Sequence, residues 1–546
     1  ISKIDFDELV GEVIIEALKP GIIIGKSGEM LRTIISKTLW RPRVMRTPPI
    51  ESRVIKTIRH LYQEHSKRRQ QILRTIGKRI HRPIIFRDDT IRVTALGGFA
   101  EVGRSCALIQ TGESKAIVDC GINVGSNSPN NTFPRFDLPE FDIDELDAVI
   151  ISHAHLDHSG FIPYLFKYGY QGAVYATRPT RDLMTMLQID YLDVAKKEGK
   201  MLPYEQKDIR ESVLHTIVLD YGEVTDVSPD IRLTFHNAGH IVGSAIPHLH
   251  IGEGVYNLAF AQDIKFAKSN LLDAANNRFP RLETLFIEST YGKPQDILPP
   301  RQECEKLLRN IIYDTIKKGG KVLIPVLAVG RAQEILVVIE NLMRKGELPN
   351  IPVYTDGMIR EASAITTAHP EFLSKNLRER IFHAGQNPFL AEQIKQVASS
   401  EERELIIQGD PAIIVATSGM LNGGPSVLYF KELCSDPNNA LVFVSYQGKG
   451  TLGSKIQKGI TEIQMVEKRK TVMYHIEMAV HSMTGFTGHS DRRELENYIM
   501  RVTPKPEKIV VIHGEESKAV KFASWVYKTT KRETMAPPNG TTIRLR

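Results

Sequence analysis

The sequence predicts an α/β protein, because short apolar strands alternate with helical patterns and because glycine, acidic and histidine residues follow the strand ends. From about Arg92 onward such strands are expected at 91–95, 116–118, 148–151, 258–260 and 285–287. Ligands of α/β sheets collect at the carboxyl ends of the strands. The acidic and histidine side chains at these ends are therefore candidates for a functional site.

Length and composition exclude several classes of protein. The 546 residues suffice for three or four domains of roughly 150 residues. No apolar run approaches the roughly 18 to 20 residues of a membrane span, so no membrane association is expected. The four cysteines lie far apart with no C-x-x-C pair, which predicts neither a disulfide framework nor a thiolate zinc site and favours a cytoplasmic location. The chain starts at Ile1 and shows no basic stretch followed by an apolar stretch, so we expect no signal peptide here and further N-terminal sequence before Ile1.

Positive charge is concentrated at the N-terminus. Residues 1–88 contain 19 Lys and Arg against 9 Asp and Glu, a net charge of +10, whereas the other 458 residues carry −3. Such a concentration suits a polyanion such as nucleic acid. The alternative is a solvated helix face, which charge alone leaves open.

The first structural elements account for this basic region. A strand is expected at 12–18, and the loop Gly25-Lys26-Ser27-Gly28 then opens a helix, followed by a strand candidate at 43–45. Two glycines let the backbone approach a phosphodiester closely, and Lys26 adds a cation. This arrangement resembles a KH domain, which clamps single-stranded nucleotides at such a loop. One long basic helix over 51–81 is expected to lead out of this unit, with a possible role as a clamp over RNA.

The most specific signal is the motif HAHLDH at 153–158, directly after the apolar strand at 148–151. Neutral imidazoles and carboxylates are ligands that zinc prefers, and three His with one Asp in six residues can face two adjacent ions. Two further ligand candidates, His240 and Asp263, follow later apolar segments. Asp263 could bridge two metal ions roughly 3.5 to 4 Å apart.

The order of these motifs, with Asp119 upstream in the sequence VDCG, resembles the metallo-β-lactamase fold. The resemblance implies an αββα sandwich with a dinuclear zinc centre, in which Asp119 orients ligands without binding zinc. It assigns one Zn²⁺ to His153, His155, His240 and Asp263. It assigns the other to Asp157, His158, Asp263 and His513.

Later motifs resemble those of the β-CASP nucleases, which insert an α/β domain into the lactamase fold. They are FIESTYG at 286–292, TGHSD at 487–491, and HGE at 513–515 after a strand at 509–512. The whole set resembles nuclease subunits of the cleavage and polyadenylation specificity factor, and the N-terminal KH segment points to their archaeal relatives. The expected units are a KH domain with the basic helix (1–88), the two parts of the lactamase domain (89–292 and 481–546), and the β-CASP domain (293–480).

The resemblance implies a ribonuclease that cuts single-stranded RNA with water activated by two zinc ions, leaving 5′-phosphate and 3′-hydroxyl ends. His489 would act as general acid, and Glu288 would hydrogen-bond its imidazole. Asp157 would be both a catalytic residue and a metal ligand. Arg331 and Ser418 are candidate phosphate contacts, although a salt bridge and helix capping are equally good explanations. Seven other histidines are expected to be structural: His215, His236, His248, His250, His383, His475 and His481.

The expected role is endonucleolytic RNA 3′-end processing or transcription termination, with 5′ to 3′ exonuclease activity as a possible addition. RNA polymerase or other processing factors are candidate partners, and relatives form homodimers, for which residues 541–546 could supply a pairing strand. A catalytically silent RNA-binding scaffold and a DNA-processing β-CASP nuclease are the alternatives. The complete set of expected metal ligands argues against the silent scaffold, and His513 argues against the DNA-processing nuclease.

Overall fold

The computed structural model describes residues 1–9, 11–85, 89–126, 128–382, 384–448, 450–467 and 470–546. His383, expected to be structural, lies outside these ranges. Among the described residues, no helix is both long and apolar enough to cross a membrane.

The N-terminal unit is a three-stranded sheet covered by helices. Its strands pair in the order β1-β2-β3, with β1 antiparallel and β3 parallel to β2. The strands expected at 12–18 and 43–45 are present as β2 and β3. The elements are β1 (Lys3–Asp7), β2 (Glu12–Ala17), α1 (Pro20–Ile24), α2 (Glu29–Thr38), β3 (Arg41–Arg46), α3 (Arg53–Glu64) and α4 (Ser66–Ile80).

The segment expected to be one long helix over 51–81 forms two helices, α3 and α4, which meet at His65. No glycine or proline marks this break. Both helices lie against the following unit: the Tyr62 hydroxyl donates to the Val213 carbonyl at 3.1 Å. Arg68 donates two hydrogen bonds of 2.8 Å to Glu211, and Arg82 donates to both oxygens of Asp147 at 2.8 and 2.9 Å. Part of the basic stretch is thus neutralised within the chain.

The next unit is built mainly from strands. They are β4 (Arg92–Gly97), β5 (Cys106–Gln110), β6 (Lys115–Val118), β7 (Leu146–Ile150), β8 (Ala173–Ala176), β9 (Thr216–Val218), β10 (Val224–Ser228), β11 (Ile231–Asn237), β12 (Ala245–Ile251), β13 (Tyr256–Ala261) and β14 (Thr284–Glu288). The helices are α5 (Pro129–Thr132), α6 (Leu156–Ser159), α7 (Ile162–Lys167), α8 (Arg178–Lys197) and α9 (Gln206–Leu214).

An α/β unit follows β14. Its helices are α10 (Arg301–Lys317), α11 (Arg331–Arg344), α12 (Ile359–Ala368), α13 (Lys375–Phe382), α14 (Ser400–Gln408), α15 (Pro425–Leu433) and α16 (Leu452–Gln457). Its strands are β15 (Val322–Pro325), β16 (Val353–Asp356), β17 (Ile394–Gln396), β18 (Ile413–Ala416), β19 (Ala440–Phe443), β20 (Glu462–Glu467), β21 (Lys470–His475) and β22 (Ala479–Ser482). Six of these strands form a parallel sheet in the order β17-β16-β18-β15-β19-β22, and β20 and β21 form a separate hairpin.

The chain then returns to the earlier unit through α17 (Arg492–Arg501), β23 (Lys508–Ile512), α18 (Glu516–Thr530), β24 (Glu533–Met535) and β25 (Thr542–Arg544). Two seven-stranded sheets result, with the orders β25-β4-β5-β6-β7-β8-β9 and β10-β11-β12-β13-β14-β23-β24. Apolar side chains of both sheets meet in one core, while α7, α8 and α9 cover the outside of the first sheet and α17 and α18 cover the second. The αββα sandwich with an inserted α/β unit, expected from the sequence, is present.

The C-terminal strand has a partner within the chain. Residues 541–546, a candidate pairing strand for a second copy, contain β25, which pairs antiparallel with β4 at the edge of the first sheet, with Ile543 opposite Val93. The backbone groups on that side of β25 are therefore engaged internally.

Candidate metal centre

The expected site residues meet at one edge of the sandwich because each follows the carboxyl end of a strand. Asp119 follows β6, the HAHLDH loop follows β7, His240 follows β11, Asp263 follows β13, and His513 follows β23. Glu288 is the last residue of β14. Strands that are distant in sequence thereby deliver polar side chains to one place.

The first group of side chains comprises His153, His155, His240 and Asp263, and one potential ligand atom of each lies within 4.8 Å of the others. Asp263 Oδ2 is 3.4 Å from Nε2 of both His153 and His240. Nε2 of His240 is 3.1 Å from Nδ1 of His155. Three imidazoles and a carboxylate match the donor set of a zinc site.

A second group lies on the other side of Asp263 and comprises Asp157, His158 and His513. Asp263 Oδ1 is 2.9 Å from His513 Nδ1 and 3.6 Å from His158 Nε2. Asp157 Oδ2 is 3.7 Å from His158 Nε2 and 3.6 Å from His513 Nε2. Each carboxylate oxygen of Asp263 thus faces a different group, so this side chain could contribute a ligand atom to both.

The donor atoms of these residues fit metal binding. Nε2 of His153, His155, His158 and His513 is buried without a hydrogen-bond partner among the described residues. Buried polar atoms normally have partners, so such a concentration calls for an ion. Burial lowers the pKa of His153, His155 and His240, which keeps these imidazoles neutral with a lone pair to donate. Although burial opposes it, the His513 imidazole holds the pKa of Asp263 well below its usual range.

The Asp119 carboxylate orients the HAHLDH loop through hydrogen bonds to Ser152 and His158. It accepts hydrogen bonds from the Ser152 backbone N–H at 2.7 Å and the Ser152 hydroxyl at 2.8 Å, and its Oδ2 lies 2.7 Å from His158 Nδ1. A proton on Nδ1 leaves Nε2 of His158 free for a metal. The backbone of Asp119 is left-handed, with φ 62°. Such a conformation is uncommon outside glycine and marks functional sites.

His489 and Glu288 form a pair beside the first group. Nδ1 of His489 is 3.0 and 3.2 Å from the two oxygens of Glu288, and the Ile264 backbone N–H donates to Glu288 at 2.8 Å. Nε2 of His489 lies 3.8 Å from Asp263 Oδ2. Burial opposes it, but the Glu288 carboxylate raises the pKa of His489. A histidine held this way can deliver a proton at the metal centre.

The two expected phosphate contacts differ in their surroundings. Arg331 begins α11, and its side chain forms no hydrogen bond or ion pair within the described part of the chain. It lies close to Gly488, where an added Cβ would come within 2.8 Å of the Arg331 guanidinium and 3.0 Å of His240 Nδ1. Burial lowers the pKa of Arg331 to about 10, so it remains charged at neutral pH. The Ser418 hydroxyl is used in its own loop, donating to the Gly423 carbonyl and accepting from the Asn422 N–H.

The loop Gly25-Lys26-Ser27-Gly28 lies on the N-terminal unit. Gly25, Ser27 and Gly28 have positive φ angles of 72°, 53° and 75°, and Lys26 forms no ion pair with a described residue. The loop therefore presents backbone amides and a free cation between α1 and α2. These groups suit an anionic ligand.

Five of the described histidines expected to be structural have partners away from the metal centre: His215, His236, His248, His250 and His475. His236 and His248 lie 3.3 Å apart, His248 Nε2 lies 2.9 Å from the Arg281 carbonyl, and His250 Nδ1 lies 2.6 Å from Asn257 Oδ1. Burial lowers the pKa of His236 to about 4 and of His248 to about 3. His236 and His248 are therefore neutral at pH 7.

Several supporting residues were missed by the sequence analysis. Besides Ser152, they include Gly488, whose carbonyl lies 2.8 Å from His240 Nδ1, and Ser490, whose hydroxyl donates to the Ile264 carbonyl at 3.0 Å. Lys265 Nζ donates to the His489 carbonyl at 3.0 Å. Ser490 and Gly488 flank His489 in the TGHSD motif, which is the only sequence signal that pointed to them.

Three domain families match the chain. Residues 108–286 match the metallo-beta-lactamase superfamily domain, and residues 332–456 match the Beta-Casp domain. Residues 473–537 match the Zn-dependent metallo-hydrolase RNA specificity domain. The last two matches cover the inserted unit and the segment that returns to the sandwich.

Curated relatives are similar along the whole chain. The proteins named transcription termination factor FttA from Methanothermobacter thermautotrophicus and Methanocaldococcus jannaschii are 53% and 55% identical. The protein of the same name from Lokiarchaeum is 51% identical. Each match covers 100% of this chain and 86% of the relative. A crystal structure of a protein of unknown function from Enterococcus faecalis has a TM-score of 0.51 at 14% identity, covering 83% of this chain and 100% of that one, and supports the fold alone.

Proposed function

The chain belongs to the FttA family of β-CASP metallo-β-lactamase proteins, and we propose that it is a zinc-dependent ribonuclease that cuts single-stranded RNA during transcription termination or 3′-end formation. Its family is one of metal-dependent hydrolases. The observation that carries the proposal is the pair of buried donor groups that share Asp263, next to the His489–Glu288 pair.

In this proposal two Zn²⁺ ions occupy the two groups. His153, His155, His240 and Asp263 would hold one, and Asp157, His158, Asp263 and His513 would hold the other. When bound, the ions supply Lewis acidity toward phosphate oxygens and lower the pKa of water to about 7. Asp119 and the Gly488 carbonyl keep Nδ1 of His158 and His240 protonated, so that Nε2 of each points at the site.

His489 is the proposed proton donor. The 3′ oxygen of the departing RNA fragment must take up a proton, and a positioned acid is worth roughly 10² to 10⁴ in rate. Glu288 fixes the Nδ1–H tautomer and stabilises the imidazolium, which leaves the Nε2 proton of His489 directed toward the metal centre. The products would carry 5′-phosphate and 3′-hydroxyl ends.

Arg331 is the better supported of the two phosphate contacts. Its guanidinium is charged, unpaired within the described residues and close to Gly488, whereas the Ser418 hydroxyl already has two local partners. The N-terminal unit, with its exposed Gly25-Lys26-Ser27-Gly28 loop between two helices, is proposed to bind RNA as a KH domain. Homodimer formation, contact with RNA polymerase and a cytoplasmic location complete the proposal.

The decisive experiment uses purified protein whose zinc content has been measured. It is incubated with an internally labelled single-stranded RNA and with DNA of the same sequence, and the product ends are mapped. We expect internal cuts in RNA with 5′-phosphate ends, lost in His489→Ala and reduced about 10²- to 10⁴-fold in kcat by Glu288→Gln. Both variants should retain about two zinc ions per chain, since neither residue is a proposed ligand.

Other outcomes would favour the alternatives. Intact RNA in the presence of bound zinc and a clear gel shift would identify an RNA-binding scaffold. Preferential cutting of DNA would identify a DNA-processing enzyme. Removal of zinc by a chelator should abolish cleavage and added zinc should restore it; cleavage that survives chelation would contradict the proposal.

A further inference from the structure

A large groove lies beside the metal centre, with a volume of about 1430 Å³. We propose that this groove holds unpaired bases of the RNA that flanks the cleaved bond, a binding site separate from the metal centre and from the N-terminal unit. The inference rests on the proposed function.

The walls of the groove connect it to the catalytic region. Leu156, which stands between the proposed ligands His155 and Asp157, lines it together with Ile122. On the other side the inserted α/β unit contributes Asn422, from the same loop as Ser418. The groove is thus bounded by both units whose loops surround the metal centre.

A row of aromatic rings forms one side of the groove. Phe133 stacks on Phe161 at a centroid distance of 4.5 Å, Phe161 stacks on Tyr164 at 4.2 Å, and Tyr164 lies 4.5 Å from Tyr168. The row ends at Tyr168, whose side chain is 56% exposed. Three more apolar side chains around the groove are exposed: Val124, Val194 and Met201. An exposed apolar cluster of this kind marks a binding surface.

Side-chain amides form the polar part of the lining. Asn130, Asn131 and Asn422 are exposed, and their amide groups form no hydrogen bond to any other described residue. A side-chain amide offers both a donor and an acceptor, which is what the edge of a nucleobase requires. These amides are therefore free to bind a ligand that stacks on the aromatic row.

The cations of the groove already have partners. Arg104 pairs with Glu101 at 2.7 Å, Arg135 pairs with Asp137 at 2.8 Å, and Lys167 donates to the Pro203 carbonyl at 2.8 Å. Lys200 pairs with Glu198 at 2.7 Å. The groove is consequently poor in free positive charge, so it suits bases more than a phosphate backbone.

Single-stranded RNA is the occupant that fits these observations. Proteins bind unpaired bases by stacking them on aromatic rings and by hydrogen bonds to their edges. The volume exceeds the roughly 300 to 1,000 Å³ of a pocket for one small ligand, so several nucleotides can enter. Because Leu156 lines the groove and stands between two proposed ligands in the sequence, the groove adjoins the HAHLDH loop.

The test compares RNA binding by three variants in a His489→Ala background, in which bound RNA stays intact. We expect Tyr168→Ala to weaken binding of a single-stranded RNA about 5- to 150-fold, the range found for loss of one base-stacking ring. Tyr168→Phe retains the ring and should bind normally. Tyr527→Ala is the matched control, because Tyr527 is also 56% exposed and lies outside the groove.

A second RNA, with abasic ribose units in the flank of the scissile bond, separates bases from backbone. Tyr168→Ala and the parent should bind this RNA equally, and 5-iodouridine in the flank of the normal RNA should cross-link to the peptide that contains Tyr168. Binding unchanged by Tyr168→Ala, or reduced equally for both RNAs, would overturn the inference and leave the groove to a protein partner. Cleavage by the unsubstituted protein reports separately on the proposed function, so either can fail alone.

Discussion

Asp119 has a left-handed backbone conformation, and its carboxylate requires a proton on the facing nitrogen, Nδ1 of His158. Its left-handed φ of 62° is tolerated by aspartate and asparagine better than by most residues, and its carboxylate only accepts hydrogen bonds. The side chain therefore determines which nitrogen of His158 carries the proton.

The substitution Asp119→Asn tests this role while preserving size and backbone preference. An amide NH₂ placed against His158 Nδ1 would move the imidazole proton to Nε2, where it blocks metal binding. We expect zinc affinity to fall about 10- to 100-fold, as measured by competition with a chromogenic chelator. Ser114→Ala, at a distant buried serine that bonds Asp230, is the control. Unchanged zinc affinity in Asp119→Asn would contradict this assignment.

At the scale of single residues, sequence patterns predict candidate metal ligands better than the groups that hydrogen-bond those ligands and hold them in place. His153, His240 and Asp263 could be singled out as candidate ligands because each follows a strand and has a side chain suited to zinc. The Gly488 carbonyl and the Ile264 N–H act through the backbone, which any residue type supplies. Such contacts depend on tertiary structure and leave no sequence pattern.

Among the elements, helix α3 is tied to the inserted α/β unit at its first turn. Glu361 on α12 accepts hydrogen bonds from the Ser52 hydroxyl at 2.5 Å, the Val54 N–H at 3.0 Å and the Arg53 N–H at 3.3 Å. The first N–H groups of a helix have no partner within the helix, and a carboxylate there also interacts favourably with the helix dipole. Glu361 of the inserted unit thus caps the first turn of α3.

Replacing Glu361 with alanine should loosen this junction. We expect faster amide hydrogen exchange in the first turn of α3 and a loss of about 0.5 to 2 kcal/mol in local opening free energy, as for removal of other helix caps. The measurement is exchange mass spectrometry of peptides that cover 50–60. Glu379→Ala, which removes an exposed glutamate on α13, should leave this exchange unchanged. Equal amide exchange of α3 in both variants would contradict the stabilisation of its first turn by Glu361.

The break between α3 and α4 shows what the sequence could not predict about elements. The apolar residues on either side of the break keep one helical phase, and neither glycine nor proline stands beside His65; the residues are Val54, Ile58, Leu61, Ile72 and Ile76. The partners of the two helices are spread over distant segments: Tyr62 of α3 contacts Val213, and Arg79 of α4 donates to the Leu146 carbonyl at 2.9 Å. Long-range contacts of this kind set the direction of each helix independently of the local pattern.

Across the whole molecule, a buried network joins helix α3, the sandwich and the inserted unit. His369, just after α12, lies 2.8 Å from Asp182 on α8, which also accepts from Arg181 at 2.7 Å. Arg181 lies over the Tyr62 ring of α3, 5.7 Å from its centroid, and Glu371 is 3.8 Å from Nδ1 of His369. Although burial opposes it, Asp182 raises the pKa of His369. Burial likewise opposes the lowering of the pKa of Asp182 by Arg181.

This network predicts pH-dependent stability. Because the folded pKa of His369 lies above the unfolded value of about 6.5, its stabilising effect is complete below that pH and disappears as pH rises through the folded pKa. The lowered pKa of Asp182 acts in the opposite direction and removes the effect only in stronger acid, below about pH 4. Stabilisation by the pair is therefore greatest between about pH 4 and 6.5.

We expect His369→Gln to lower the urea midpoint of unfolding most at pH 5 to 6 and progressively less toward pH 9. Comparing each variant with the parent at the same pH removes the contribution of the metal centre, which both share. His475→Gln, at an exposed histidine beside Glu462, should show little difference at any pH. A difference for His369→Gln that is constant or grows with pH would contradict the assigned direction.

The way the chain completes its sandwich has a consequence for biosynthesis. β23 and β24 extend the second sheet beyond β14, β25 closes the edge of the first, and His513 joins the metal centre only through β23. A ribosome-bound chain that has not yet exposed these residues has an unpaired β14 and an incomplete ligand set. The proposed nuclease activity can therefore arise only after residues 508–544 have left the ribosome and joined the two sheets.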